Sequence, residues 1–159
     1  MFNFIHLLFV VANAFNLLPN YTPPKNSLHI KPCIDINPII LETTIEVCES
    51  LRDTGLIDIE VSEQGTVSIC THTTGHYGSF SQVDNEIRLN KILQYFPNMS
   101  YNVILHEILH SLGLDHTDKP GMMSYSIREY FLGYPIEDQN RLWASVDDVH
   151  GVLYIKYAN

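Results

Sequence analysis

Residues 106–116 read HEILHSLGLDH, which is the most specific signal in the sequence. If the stretch is helical, His106 and His110 lie four residues apart and leave the same face one turn from each other. Zinc accepts imidazole nitrogens at ~2.0–2.1 Å, so this pair supplies two ligands. Gly113 can adopt a positive φ and lets the chain leave the helix sharply, which brings His116 back as a third ligand. The spacing predicts a site for one zinc ion, with a fourth position left for water.

Glu107 follows the first predicted ligand and can reach a zinc-bound water without binding the metal itself. Zinc at this position would polarise a substrate carbonyl and lower the pKa of its water toward ~7. Glu107 would then take a proton from the water as general base and deliver it to the leaving group. We therefore expect metal-assisted hydrolysis, with Glu107 as the catalytic residue.

Composition narrows the possible partners. The chain has 159 residues, of which 45% are hydrophobic, enough to bury one core. Its 18 acidic and 9 basic side chains give a net charge of −9. Nucleic-acid binding relies on Lys and Arg that neutralise phosphates, and polybasic attachment to membranes relies on the same residues. Neither class of partner is expected.

The zinc stretch matches the pattern HExxHxxGxxH, which is the extended motif of the metzincin peptidases. The chain thus resembles a metzincin, and the sequence continues to PGMMSY at residues 120–125. This resemblance implies an α+β fold with a mixed twisted sheet, an edge strand at the cleft, a zinc-site helix, a Met-turn and a C-terminal helix. Met123 is the expected Met-turn residue because it begins a Met-x-Tyr pattern, and Met122 is the alternative. By the same resemblance, Tyr125 is a candidate to hydrogen-bond the oxyanion.

Within the metzincins, the chain looks most similar to a minimal matrixin catalytic domain over residues 28–157. Residues 145–154 (SVDDVHGVLY) resemble the closing helix of that family, and residues 85–90 (NEIRLN) resemble its strand beside the cleft. Thr117 departs from the family, which usually has Ser there. His72 and His76 lie in a short stretch without an adjoining Asp, so a structural zinc is not expected and calcium is unsupported by the sequence.

Local patterns predict the order of the elements. Pro38 follows Asn37, a good helix cap, and begins a helix that Gly55 closes. Ser100 is the expected cap of the zinc helix. Residues 75–81 are expected to form a loop, and the final helix should begin near Ser145 or Val146. The strands are expected, from alternating apolar residues, at 28–31, 57–61, 66–70 and 85–90.

The sequence predicts a signal peptide, a short N-terminal segment and one catalytic domain. Residues 1–14 (MFNFIHLLFVVANA) have an apolar stretch followed by a small-x-small pattern, typical of a secretory signal peptide. Residues 15–27 are expected to be an extended N-terminal segment, and residues 28–159 a single metzincin catalytic domain. No second stretch is long enough to span a bilayer. We expect a secreted, extracellular monomer.

The three cysteines, Cys33, Cys48 and Cys70, allow one disulfide and leave one thiol, and their spacing leaves the pairing open. Cys33 lacks the surrounding motif of a matrixin latency cysteine, so it is not expected to block zinc.

The expected substrates are extended polypeptides that add to the edge strand Glu86–Asn90 by main-chain hydrogen bonds. By family resemblance, the stretch from Tyr125 to Tyr134 walls the pocket beyond the scissile bond. Two alternatives stay open: a non-catalytic zinc-containing binding module, and a metzincin peptidase outside the matrixins.

Overall fold

The computed structural model describes most of the chain in one α+β arrangement. The described residues are 16–24, 26–73, 75–119, 121–125, 138, 140–144 and 146–157. The predicted signal peptide at 1–14 lies outside this part, so it stays a prediction. None of the described helices is both long and apolar enough to cross a membrane.

Seven strands and three α-helices form the described part. The strands are β1 (Asn16–Leu17), β2 (Ser27–Pro32), β3 (Asp58–Val61), β4 (Val67–His72), β5 (Gly78–Ser81), β6 (Glu86–Asn90) and β7 (Leu114–Asp115). The helices are α1 (Pro38–Asp53), α2 (Pro97–Ser111) and α3 (Val146–Tyr157), and a 3-10 turn covers Lys91–Tyr95. The predicted α+β class is confirmed.

Five strands make one mixed sheet in the order β3-β2-β4-β6-β5. The first four are parallel to one another, whereas β5 is antiparallel to β6, with Gly78 opposite Leu89 and Ser81 opposite Glu86. Helix α1 packs on β3, and α2 packs on β5 and β6. The core between them is made of aliphatic side chains without exposed surface, including Ile30, Ile69 and Ile104. Burial of each contributes roughly 1.5–3 kcal/mol.

The prediction that Glu86–Asn90 is the edge strand is wrong. This strand lies inside the sheet, between β4 and β5, and the edge beside the zinc helix is β5. The stretch 75–81, which we expected to be a loop, therefore contains the edge strand Gly78–Ser81. Alternating burial shows that one face of a strand is buried and the other is not. This pattern occurs in interior strands and in edge strands alike. The pattern in 85–90 could not distinguish them.

The helix boundaries show one confirmed cap and one wrong cap. The side chain of Asn37 accepts hydrogen bonds from the backbone N–H groups of Ile39 and Ile40, as predicted for α1. Helix α2 instead begins at Pro97, and Ser100 is fully buried inside it. The capping acceptor comes from elsewhere in the chain: the carboxylate of Asp138 accepts from the N–H groups of Asn98 (3.2 Å) and Met99 (3.0 Å).

Candidate metal centre

Helix α2 presents the first three predicted site residues. His106, Glu107 and His110 are all buried, with 2%, 4% and 7% of their surface exposed. The rings of His106 and His110 lie on the same face of the helix, with centroids 4.7 Å apart. The spacing of four residues therefore brings the two imidazoles together as predicted.

The third histidine arrives through the turn that ends the helix. Gly113 has a φ of +97°, a conformation that L side chains rarely adopt, and the chain reverses there into β7. His116 follows directly, with its ring centroid 5.2 Å from that of His106 and 4.6 Å from that of His110. One potential ligand nitrogen from each of the three rings lies within 4.8 Å of the others. The three histidines are thus positioned to bind one metal ion.

Two of the histidines are oriented by backbone carbonyl groups. The Nδ1–H of His106 donates to the carbonyl oxygen of Met122 at 2.8 Å, and the Nδ1–H of His110 donates to that of Leu114 at 2.7 Å. A carbonyl oxygen can only accept, so Nδ1 carries the proton in both rings. The Nε2 atom of each ring is then left with its lone pair, which is the form that binds a metal.

The geometry fits zinc. Two ligands at ~2.0–2.1 Å from a tetrahedral zinc lie about 3.3–3.4 Å apart. The Nε2 atoms of His106 and His116 are separated by 3.2 Å. Imidazole nitrogens are borderline-soft donors suited to zinc and other late divalent transition metals. No group of three or more potential ligands besides this one was found among the described residues, so a second metal site gains no support there.

The segment after His116 forms a turn whose two ends are hydrogen-bonded to each other. Thr117 and Ser124 form a parallel bridge, the N–H of Thr117 donates to the carbonyl oxygen of Met123 (2.8 Å), and Tyr125 donates its N–H to Thr117 (3.0 Å). The carboxylate of Asp148 on α3 accepts the N–H groups of Met122 and Met123 at 3.0 and 3.3 Å. The backbone of the predicted Met-turn is therefore fixed from two sides.

Both methionines of this turn are buried, with 1% exposed. Which of them underlies the imidazoles stays a prediction. The ring of Tyr125 stacks on that of His116, with centroids 5.6 Å apart, and about half of Tyr125 is exposed. The rest of the predicted pocket wall, residues 126–134, lies outside the described part of the chain.

Glu107 is buried next to the histidines. Burial raises the pKa of its carboxyl group to about 8. Its Oε2 atom has no hydrogen-bond partner among the described residues. A divalent cation at the three histidines would favour the charged carboxylate and so oppose the effect of burial.

Gly78 on the edge strand leaves the room that Glu107 occupies. A Cβ atom at this position would lie 2.8 Å from Oε1 of Glu107 and 2.5 Å from Cγ1 of Val103. No sequence pattern singles out Gly78, because only the packing of β5 against α2 creates this contact.

A cleft of about 270 Å³ opens over the histidines and Glu107. Its walls come from two directions. The first wall is the edge strand β5 with its flanking residues, and the second is Asp115 and His116. Leu18, from the N-terminal segment, also lines the cleft. His76, which is exposed, lies in the first wall.

Comparison with solved structures identifies the fold. High choriolytic enzyme 1, a hatching enzyme zinc-protease from Oryzias latipes (medaka fish), aligns with a TM-score of 0.56 and 13% identity over 90% of this chain and 99% of that one. Myroilysin aligns with a TM-score of 0.50 and 18% identity over 89% of this chain and 73% of that one. The chain has a metzincin-like zinc protease fold. No protein-family model matches the sequence.

The metzincin-like fold accounts for one sequence prediction at this site in full and for a second in part. It brings His106, His110 and His116 together around one metal position, as the motif predicted. It also has an edge strand along the cleft, although a different one from the strand we predicted. Neither comparison structure is named as a matrixin, so similarity to the matrixins in particular stays a prediction.

The cysteines are divided between a bridge and a core position. Cys33 and Cys70 form a disulfide that links the residue after β2 to β4. Cys33 is thus not a zinc-blocking thiol, in agreement with the sequence expectation. Cys48 is a free, buried thiol on α1, and burial raises its pKa to about 12.

Proposed function

We propose that this protein is a zinc-dependent endopeptidase that hydrolyses peptide bonds in extracellular proteins. The observation that carries the proposal is the grouping of Glu107 with the three histidines: all four side chains line one cleft, and Glu107 is 4% exposed. A binding module needs only the metal ligands, whereas hydrolysis also needs a base beside the metal position.

In this proposal His106, His110 and His116 hold the zinc ion. Their Nε2 atoms face the metal position, because Met122 and Leu114 fix the opposite nitrogens of the first two rings. When bound, zinc supplies Lewis acidity: it polarises a carbonyl group and lowers the pKa of water. Glu107 takes a proton from the attacking water on a carboxylate oxygen and delivers it to the amine that leaves. The low exposure of Glu107 strengthens its electrostatic interactions.

The substrate binds in an extended conformation along β5. This strand ends the five-stranded sheet, so its outer edge offers unpaired backbone groups to a polypeptide. Recognition through backbone groups is tolerant of side-chain identity, and we expect modest sequence selectivity. We assign Tyr125, whose ring stacks on that of His116, the role of hydrogen bonding the oxyanion.

We also propose that the protein acts outside the cell as a monomer. The disulfide between Cys33 and Cys70 supports this location, because disulfides persist in oxidising compartments. Secretion would follow from the predicted signal peptide at residues 1–14. The N-terminal sequence of the product secreted by a eukaryotic host tests this, with Phe15 as the expected first residue.

The decisive experiment measures zinc and cleavage on the same sample. The full chain, expressed through a secretory route and loaded with zinc, is incubated with a mixture of internally quenched peptides. We expect one zinc per chain and internal cleavage that a chelator abolishes. Glu107→Ala should retain the zinc and lose about 10²–10⁴-fold in rate, whereas Glu49→Ala, an exposed glutamate on α1, should cleave normally. A folded wild-type protein that binds zinc and cleaves nothing would contradict the proposal.

A further inference from the structure

The N-terminal segment 16–24 is attached to the chain that carries the third histidine. Strand β1 pairs antiparallel with β7, with Asn16 opposite Asp115. The N–H of Leu18 donates to the carbonyl oxygen of Gly113 at 2.9 Å, and the side-chain amide of Asn16 donates to that of His116 at 2.5 Å. The segment therefore extends the second wall of the cleft.

Farther along, the same segment reaches the first wall. The hydroxyl group of Tyr21 donates to the carbonyl oxygen of Ser111 at the end of α2 (3.0 Å). The ring of Tyr21 packs edge-on against that of Phe80, with centroids 5.4 Å apart. Since Phe80 belongs to β5, the N-terminal segment connects the third-histidine side of the cleft to the edge strand.

Leu18 forms a partition between two spaces. It lines the cleft over the histidines, and it also lines a second cavity of about 300 Å³. Leu17 and Tyr21 border the second cavity. The N-terminal segment thus lies between the cleft and the second cavity, and it meets the first wall at Phe80.

The direction of the edge strand fixes which part of a substrate meets this partition. Antiparallel pairs are the more stable and the more common arrangement. A substrate strand antiparallel to β5 runs from the Ser81 end toward the Gly78 end, so residues that precede the scissile bond lie near Phe80. Gly78 lies beside Glu107, and Phe80 is two residues farther, which is about 7 Å of strand. This length holds about two substrate residues.

We propose that Leu18, which lines the cleft, and the contact of Tyr21 with Phe80 close one end of the cleft and limit the bound substrate to about two residues before the scissile bond. A longer chain must turn away at the partition, so the enzyme recognises its substrate mainly through the residues that follow the scissile bond. This inference rests on the proposed peptidase function and makes Leu18 and Tyr21 specificity-determining residues. Internal bonds remain accessible where the substrate chain is flexible enough to turn.

The test measures binding rather than cleavage. Peptides that end in a C-terminal hydroxamate, a group that chelates zinc, carry one to five residues on the side that precedes the metal. Their Kd values are measured by calorimetry on the zinc-loaded full chain. We expect Kd to fall about two- to tenfold with each of the first two residues, as main-chain hydrogen bonds to β5 are added. The third to fifth residues should each change Kd by less than about twofold. A Kd that continues to fall through five residues would overturn the proposal.

Variants of the partition provide the second arm. Leu18→Ala and Tyr21→Ala should open the end of the cleft, so that the third and fourth peptide residues now lower Kd. Leu17→Ala is the matched control: Leu17 borders the second cavity as Tyr21 does, but it does not line the cleft as Leu18 does, and Tyr21 rather than Leu17 packs against Phe80. Tyr21→Phe keeps the ring against Phe80 and should keep the wild-type profile. Wild-type profiles in both alanine variants would contradict the proposal, and if Tyr21→Ala does not fold, Leu18→Ala and the wild-type series decide.

The two proposals fail in different ways. If the hydroxamates show the length limit but no peptide is cleaved, the peptidase function is wrong and the partition stands. If peptides are cleaved and the hydroxamates show no length limit, the peptidase stands and the partition is wrong.

Discussion

The Nδ1–H of His106 donates to the carbonyl oxygen of Met122 over 2.8 Å, which joins the zinc helix to a turn sixteen residues later. The N–H of Met122 in turn donates to the carboxylate of Asp148 at 3.0 Å. An imidazole at the metal site is thereby connected to α3 through a single residue, Met122. The orientation of His106 depends on the closing helix as well as on its own.

Replacement of Asp148 should weaken both the fold and the metal site. Asp148→Asn keeps the size of the side chain but removes the charge and one acceptor oxygen from a residue with 2% exposure. We expect the free energy of unfolding to fall by about 1–3 kcal/mol, and the zinc affinity by about 10–100-fold. Urea unfolding and competition with a chromogenic chelator measure the two effects. Asp58→Asn, an exposed change on β3, should alter neither, and unchanged zinc affinity in Asp148→Asn would refute the connection.

A methyl group at Gly78 should displace the proposed general base. Because Gly78→Ala would place Cβ 2.8 Å from Oε1 of Glu107, the carboxylate must shift. We expect kcat to fall at least about tenfold, since general-base catalysis depends on hydrogen-bond distances. Zinc stoichiometry should be unchanged, because the three atoms nearest to the added Cβ belong to Val103 and Glu107 and not to a histidine. The change is measured with the quenched peptides, and Val83→Ala, at an exposed turn after the same strand, serves as control. Wild-type kcat in Gly78→Ala would show that Glu107 tolerates the shift.

The cysteines should differ in reactivity. In the folded protein we expect no reaction with iodoacetamide at neutral pH, since Cys33 and Cys70 are bridged, and Cys48 is buried with its pKa raised to about 12. Intact mass should show one alkyl group after denaturation and three after denaturation with reduction. Alkylation of the native protein would contradict the pairing or the burial.

Loss of the disulfide between Cys33 and Cys70 should destabilise the fold without changing the metal ligands. The disulfide closes a loop with a sequence separation of 37, which the chain-entropy relation converts to about 4 kcal/mol. We expect the double variant Cys33→Ser, Cys70→Ser to unfold at lower urea, by about 2–4 kcal/mol. Cys48→Ala is a useful comparison because it changes a thiol in the core and leaves the bridge intact. Equal stability of the double variant and the wild type would rule out a stabilising bridge.

Removal of the cap of the zinc helix should lower the stability of the fold without changing zinc affinity. Asp138→Ala removes the carboxylate that accepts the N–H groups of Asn98 and Met99, so it should cost about 1 kcal/mol of unfolding free energy. His106 lies two turns farther along α2, and we expect zinc affinity to change less than twofold, about 0.4 kcal/mol. Thermal unfolding and chelator competition measure both quantities, and a large loss of zinc affinity would show that the cap controls the site.

Much of the site could be predicted from residues 106–116. Helical geometry alone places His106 and His110 on one face, and the conformational freedom of Gly113 allows His116 to return. The cap at Asn37 was predictable for the same reason, because its acceptor lies in the side chain just before the helix it caps. In each case the partners are neighbours in the sequence, so local geometry is sufficient.

Features that join distant residues could not be predicted in this way. The cap of α2 comes from Asp138, forty residues after Asn98, and the partner of Cys33 is one of two cysteines that the spacing could not distinguish. The strand 85–90 was recognised, but its place in the sheet was not. Periodicity reports which face of a strand is buried, whereas pairing depends on which other strands lie beside it.

The sequence by itself determined which groups form the site: three histidines and a glutamate at spacings that one helix and one glycine turn bring together. Tertiary structure alone decided what surrounds that chemistry. It made Gly78–Ser81 the edge strand and placed Leu18 in the cleft. It also brought the carboxylate of Asp148 to the N–H group of Met122. The physical reason is that ligand spacing is a property of one continuous segment. Walls, edges and supporting contacts depend on the packing of segments that are far apart along the chain.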